Sequence, residues 1–206
     1  MDKKYKILII SDNEVLRTYP IDTLKSKFYD VDFIISAGDV GNDYLDYLFT
    51  TLNKDILYVN GNHTSKESHD ISFCKNIDGK VIKYQGLRIF GLGGSQKYSY
   101  APNQYSEFEM WERIIVNFKS LLFGKIDIMV THAPPRYIHD REDFIHQGFK
   151  VFHKILKYFK PKLWIHGHIH LISHMSTQET QFEKTRIVNA YGYKVIEYSK
   201  KESDNE

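Results

Sequence analysis

Residues 163–170 read Leu163, Trp164, Ile165, His166, Gly167, His168, Ile169 and His170. A short apolar run stops at a glycine and is followed at once by two histidines one residue apart. The run is too short for a helix. It is continuous rather than alternating, which suits a strand covered on both faces. The same figure occurs four times upstream, in runs at 7–10, 33–35, 56–59 and 126–130. These lead in turn to Asp12 and Glu14, to Gly38 and Asp39, to Gly61, Asn62 and His63, and to Thr131 and His132. Helical spacing fills the intervals at 43–52, 106–122 and 147–159. Ser106 and Glu109 have the spacing of a capping box, and Pro161 stops the last segment. Residues 81–91 and 186–198 alternate more and contain Gly86 and Gly192 as turn signals. They are expected as antiparallel additions, giving a layered α/β sandwich rather than a simple doubly wound sheet.

Composition narrows the class further. The chain has 206 residues, 42% apolar and 15% aromatic, enough for a full core. We expect one domain over 1–199 and a frayed polar tail over 200–206. A net charge of +2 gives no reason to expect nucleic acid or anionic membrane as a partner. The single cysteine, Cys74, excludes an intrachain disulfide and a cysteine-based metal site. No apolar run approaches a membrane span and no secretory signal is recognisable, so a cytoplasmic location is expected.

The strand ends carry the chemistry. Ligands of open α/β sheets bind beyond the carboxyl ends of the strands. Five successive ends supplying Asp, Asp, Asn with His, His, and His-x-His point to a metal centre rather than to packing. Asp12 and Asp39 taken alone would equally suit helix caps. Gly38 and Gly61 let the backbone turn sharply and leave room beside an ion. A mixed Asp, Asn and His set without thiolate suits Mn, Fe or Zn.

In this order the motifs resemble those of the calcineurin-like metallophosphoesterases: Asp-x-His, Gly-Asp, Gly-Asn-His-acid, a His after a strand, and Gly-His-x-His. Here they read Asp12-x-Glu14, Gly38-Asp39, Gly61-Asn62-His63-Thr64, Thr131-His132 and Gly167-His168-x-His170. The resemblance implies a four-layer αββα sandwich of two mixed sheets flanked by helices. It also implies one or two divalent ions, with Asp39 bridging two positions. Asn62, His132 and His168 would complete one site, and Asp12 and His170 would belong to the other. His63 would stand beside the phosphate as a proton donor. Two positions depart from the pattern. Glu14 replaces a histidine; it either ligates, adding an anionic oxygen and favouring Mn, or points away and caps the following segment. Thr64 replaces an acid that helps to orient the histidine.

The remaining residues have plainer readings. His166 is expected as a hydrogen-bonded core histidine, and His69, His139, His153 and His174 as surface or packing residues. Residues 91–95 read as a tight turn, Cys74 as inert, and Tyr98, Tyr100 and Tyr105 as packing. Arg136 and His146 flank the loop after His132 and are candidate substrate contacts. The function implied is hydrolysis of a small phosphomonoester or phosphodiester, a nucleotide among the candidates, by metal-activated hydroxide. The alternative is a binding scaffold of the same fold with reduced catalysis.

Overall fold

Residues 7–10 are all apolar because both faces of their strand are covered. A computed structural model of the chain describes residues 2–63 and 73–201, so Thr64 and His69 lie outside the described residues. Strand β1 spans Lys3–Ser11, helix α1 Ile21–Phe28, β2 Phe33–Ser36, α2 Asn42–Leu52, β3 Ile56–Tyr58 and β4 Cys74–Asn76. A hairpin of β5 (Lys80–Tyr84) and β6 (Leu87–Leu92) follows, then the short pair β7 (Ser95–Gln96) and β8 (Gln104–Tyr105). Next come α3 (Glu107–Val116), α4 (Phe118–Leu122), β9 (Ile128–Thr131), α5 (Phe152–Tyr158) and β10 (Leu163–His166). The last strands are β11 (Glu179–Phe182), β12 (Thr185–Asn189) and β13 (Gly192–Lys200).

Two mixed sheets result, one in the order β13-β1-β2-β3-β4 and the other β11-β12-β10-β9-β6-β5. Successive side chains on a strand point to opposite faces, and β1 shows the consequence. Ile7 and Ile9 join Ile35 and Leu57 against Ile128, Val130 and Ile165 of the second sheet. Leu8 and Ile10 pack with Leu24, Phe28, Leu45 and Leu48 of α1 and α2. The outer face of the second sheet does the same with α3 and α5, where Phe90, Met129 and Trp164 meet Met110, Ile114, Phe152 and Ile155. The architecture is therefore helix, sheet, sheet, helix.

Four details differ from the sequence reading. The 106–122 helix begins on its capping box, with Ser106 and Glu109 bonded reciprocally, but breaks at Asn117. The Asn117 side chain donates to Gly79 O at 2.8 Å and to Arg113 O at 3.0 Å, tying the break to the β5 side of the fold. The 147–159 helix starts only at Phe152. Its forerunners Lys150 and Val151 give their backbone N–H groups to the Glu107 carboxylate, at 2.7 and 3.0 Å. Residues 186–198 do add antiparallel pairs, β12 beside β11 and β13 beside β1, but they divide between the two sheets, and β12 also pairs parallel with β10. Lys200 ends β13 instead of opening a frayed tail, and its Nζ lies 2.8 Å from the buried Asp127 carboxylate.

Candidate metal centre

The central strands β1, β2 and β3 are mutually parallel, as are β6, β9, β10 and β12. Their carboxyl ends therefore deliver Asp12, Asp39, Asn62, His132 and His168 to one edge of the sandwich. Ligand atoms of Asp12, Asp39 and His132 all lie within 4.8 Å of one another, a group able to hold a metal ion. Asn62 joins them: its Oδ1 is 2.8 Å from His132 Nε2, and Asp39 Oδ2 is 3.2 Å from the same nitrogen. His132 Nδ1 donates to Ala37 O at 2.8 Å. That bond fixes the ring and aims Nε2 at the carboxylates, the usual outer support of a ligating histidine. His168 is held the other way round. Its Nε2 donates to Ile145 O at 3.0 Å, which leaves the lone pair on Nδ1, and its ring centroid is 5.0 Å from that of His132.

Asp12 gives the sharpest test of whether an ion fits. Its Oδ2 accepts from Ser11 Oγ and from the His168 backbone N–H at 2.9 Å. Its Oδ1 is buried without a hydrogen-bond partner. A buried carboxylate oxygen left unpaired is costly, and a cation beside it removes the cost. His170 Nε2, on a half-exposed ring, is 3.6 Å from that Oδ1. The charges agree. Burial works against the Asp39 carboxylate, but His132 and the His63 N–H outweigh it and hold the group at about 2. Burial likewise opposes a charged His132, yet Asp39, backed by Asp12, holds that ring up to about 9. Burial pushes His168 down to about 4, and the nearby His132 adds to the effect. His170 is raised, chiefly by the Asp12 carboxylate beside it.

Two glycines make this density feasible. A Cβ on Gly61 would land on the Asp39 carboxylate. Gly38 has φ +97°, and a Cβ there would stand 2.8 Å from His132 Nδ1. The His63 backbone N–H donates to Asp39 Oδ1 at 2.9 Å, which puts His63 at the exposed rim of the cluster.

Two of the candidate contacts are engaged elsewhere. Glu14 does not face the metal group. Its Oε1 accepts from Gly41 N at 2.9 Å, its Oε2 from Arg17 at 2.8 Å, and Arg17 also reaches Asp43 at 2.6 Å. A carboxylate so paired is spoken for. Arg136 is similarly engaged, bonded to Asp140 and Glu142 at 2.6 Å each, so it braces its own loop instead of offering a free guanidinium to substrate. His146 stays at the rim, with Nδ1 2.7 Å from Asp143 and its ring 5.4 Å from that of His168. His166 is buried and hydrogen-bonded as expected, in a chain through His139 to Thr180 with 2.8 Å steps.

Sequence reasoning missed two supports. Tyr98 OH accepts from Asn62 Nδ2 at 2.8 Å and so orients the Asn62 oxygen toward His132. The Ile145 carbonyl orients His168. Both arrive on loops distant in sequence, and the tyrosine-rich 98–105 stretch was the one available signal for the first.

The profile of the Calcineurin-like phosphoesterase family matches residues 5–171. The chain belongs to that family. An uncharacterized protein of Methanocaldococcus jannaschii is 38% identical over 154 residues, covering 68% of this chain and 69% of the relative. A crystal structure from Thermus thermophilus superposes with a TM-score of 0.65 at 12% identity, covering 96% of this chain and 99% of that one. A structure described as a novel phosphatase from Mycoplasma pneumoniae gives 0.52 at 14% identity, covering 93% and 73%. As a calcineurin-like phosphoesterase, the chain is a metal-dependent hydrolase of phosphate esters. No helix among the described residues is long and apolar enough to cross a membrane.

Proposed function

We propose that this phosphoesterase hydrolyses a small phosphomonoester or phosphodiester at a centre held by Asp12, Asp39, Asn62, His132, His168 and His170, with His63 as proton donor. The observation that carries the reading is the buried Asp12 Oδ1, which accepts no hydrogen bond, beside the converging Asp39 and His132. Divalent ions, when bound, supply a water acidic enough to ionise near neutral pH and neutralise the phosphoryl oxygens. Asp39 keeps its charge throughout the neutral range and offers one oxygen toward His132 and the other toward the His63 backbone. The Ala37 and Ile145 carbonyls hold the two histidine ligands in the tautomers that ligation needs. His63, pinned through its backbone but exposed at its side chain, is positioned to protonate a leaving alkoxide.

The donor set is three oxygens and three nitrogens, which suits Mn, Fe or Zn. The preference for Mn argued from Glu14 loses its basis, because that carboxylate is bound to Arg17 and Gly41. Replacing His63 by Asn tests the proton-donor role. The kcat for an alkyl phosphate should fall by roughly 10²–10⁴, and that for a nitrophenyl ester by much less, at constant metal content. Equal losses on both substrates would remove His63 from the reaction.

A further inference from the structure

At the opposite pole of the second sheet lies a cleft of about 610 Å³. Lys125, Lys160, Lys162 and Lys184 line it together with Tyr158 and Phe159. The lysines come from the segments that enter β9, β10 and β12. The cleft is thus one strand length, roughly 13 Å, from the edge that carries His132 and His168. It belongs to a different region of the molecule from the metal centre.

The charge of Lys125 and Lys184 is not cancelled from within, whereas Lys162 has an interaction of its own. The Asp127 carboxylate, which also borders the cleft, is turned to Lys200 at 2.8 Å, the Arg88 N–H at 2.8 Å and Tyr198 OH at 3.2 Å. Lys160 has a loose contact of 3.4 Å with Glu183, both about half exposed. Among the described residues Lys125 and Lys184 have no acidic partner within ion-pair distance. Like charges gathered around a concavity raise the local positive potential and attract an anion. Lysine ammonium groups on flexible stems act as point charges that suit phosphate.

The walls say what the anion carries. Tyr158 ends α5 and is 68% exposed, and Phe159 follows it, half-buried against the core. Lys157 already covers one face of Tyr158, its Nζ 5.5 Å from the ring centre. The volume falls in the usual range for small-molecule sites and exceeds what inorganic phosphate needs. A flat ring stacked on the aromatic wall, with charge reaching the lysines, satisfies both surfaces.

We propose that this cleft is a second, non-catalytic site for a nucleoside di- or triphosphate, its base against Tyr158 and Phe159 and its phosphates over Lys125 and Lys184. The proposal is independent of the roles assigned at the metal centre. The probe is adenosine α,β-methylene diphosphate, whose bridging carbon resists hydrolysis, titrated calorimetrically into the metal-loaded protein. One equivalent should bind to Asp39→Ala as well as to the unaltered chain. The double variant Lys125→Glu/Lys184→Glu should bind at least about tenfold more weakly, with metal content and hydrolysis of p-nitrophenyl phosphate unchanged. Lys125→Arg/Lys184→Arg should retain binding. Methylenediphosphonate, which lacks the nucleoside, should also bind at least about tenfold more weakly. No binding at about 1 mM, or binding lost in Asp39→Ala and kept in the glutamate variant, would overturn the site. Equal affinity for methylenediphosphonate would overturn the nucleoside assignment.

Discussion

Manganese affinity of the metal-free protein should rise steeply with pH, and His132 sets the slope. Without an ion, Nδ1 faces Ala37 O and Nε2 faces Asn62 Oδ1 and Asp39 Oδ2, so both nitrogens carry protons. Burial disfavours that charge, but Asp39 outweighs burial and keeps the ring protonated up to about 9. A histidine pKa raised in this way supports the metal-free fold below the ordinary histidine range, and the support is lost as pH rises through about 9. An ion needs the Nε2 lone pair and must displace the proton. At pH 7 the competition spans about two pH units, which weakens apparent binding roughly 100-fold, or ~3 kcal/mol. From pH 6 to 8 the apparent affinity should therefore climb about tenfold per unit. Asp39 at about 2 and His168 at about 4 release nothing in that window. His170, raised by Asp12, adds proton release only when the Asp12 position fills. Calorimetry in buffers of different ionisation enthalpy counts the protons directly. A flat affinity between pH 6 and 8 with no proton release would refute the reasoning.

Three substitutions probe the surroundings of the centre. Glu14→Gln should leave metal stoichiometry and affinity unchanged, because its carboxylate serves Arg17 and Gly41; selective loss of one ion by elemental analysis would restore Glu14 as a ligand. Gly61→Ala places a methyl on the Asp39 carboxylate, so bound metal should drop below half occupancy while circular dichroism stays native; full occupancy would show that the loop can shift. Tyr98→Phe removes the acceptor for Asn62 Nδ2 and should cost roughly 10–100-fold in metal affinity, whereas wild-type binding by this variant would mean that Asn62 keeps its pose unaided.

The pattern of what the sequence reveals follows from the range of each interaction. Strands β1, β2, β9 and β10 are legible because residues covered on both faces must be apolar in unbroken runs. Asp12, Asp39, Asn62, His132 and His168 are legible because parallel strands release their polar residues at a common edge. Glu14 was not legible. Its partner Arg17 is local, but the Gly41 N–H and Asp43 that complete the pairing come from the start of α2, and only the packed sandwich brings them together. Residues 147–151 look helical, yet the Glu107 carboxylate takes two of their N–H groups and delays the helix. Arg136 next to a presumed site suggests substrate, and only the folded loop shows Asp140 and Glu142 already on its guanidinium.

Backbone geometry also marks three residues of the centre. Ten non-glycine residues among those described have positive φ. Asn53 ends a helix, while Gln85 and Glu183 make hairpin turns. In such places the left-handed conformation is what the local connection requires. Asp12 at φ 60°, Asp39 at 52° and His168 at 67° are different: each directly follows a strand or a strand-end glycine. A left-handed turn there costs an ordinary residue about 1–3 kcal/mol, and glycine would avoid the cost. Keeping Asp or His at all three gives up stability that glycine would recover. What the fold gains is that three strand ends, from two sheets, turn abruptly toward one point. The conformational cost and the Asp12 Oδ1 that accepts no hydrogen bond are both borne at the same edge, and a bound cation would offset the second directly and hold the first in place.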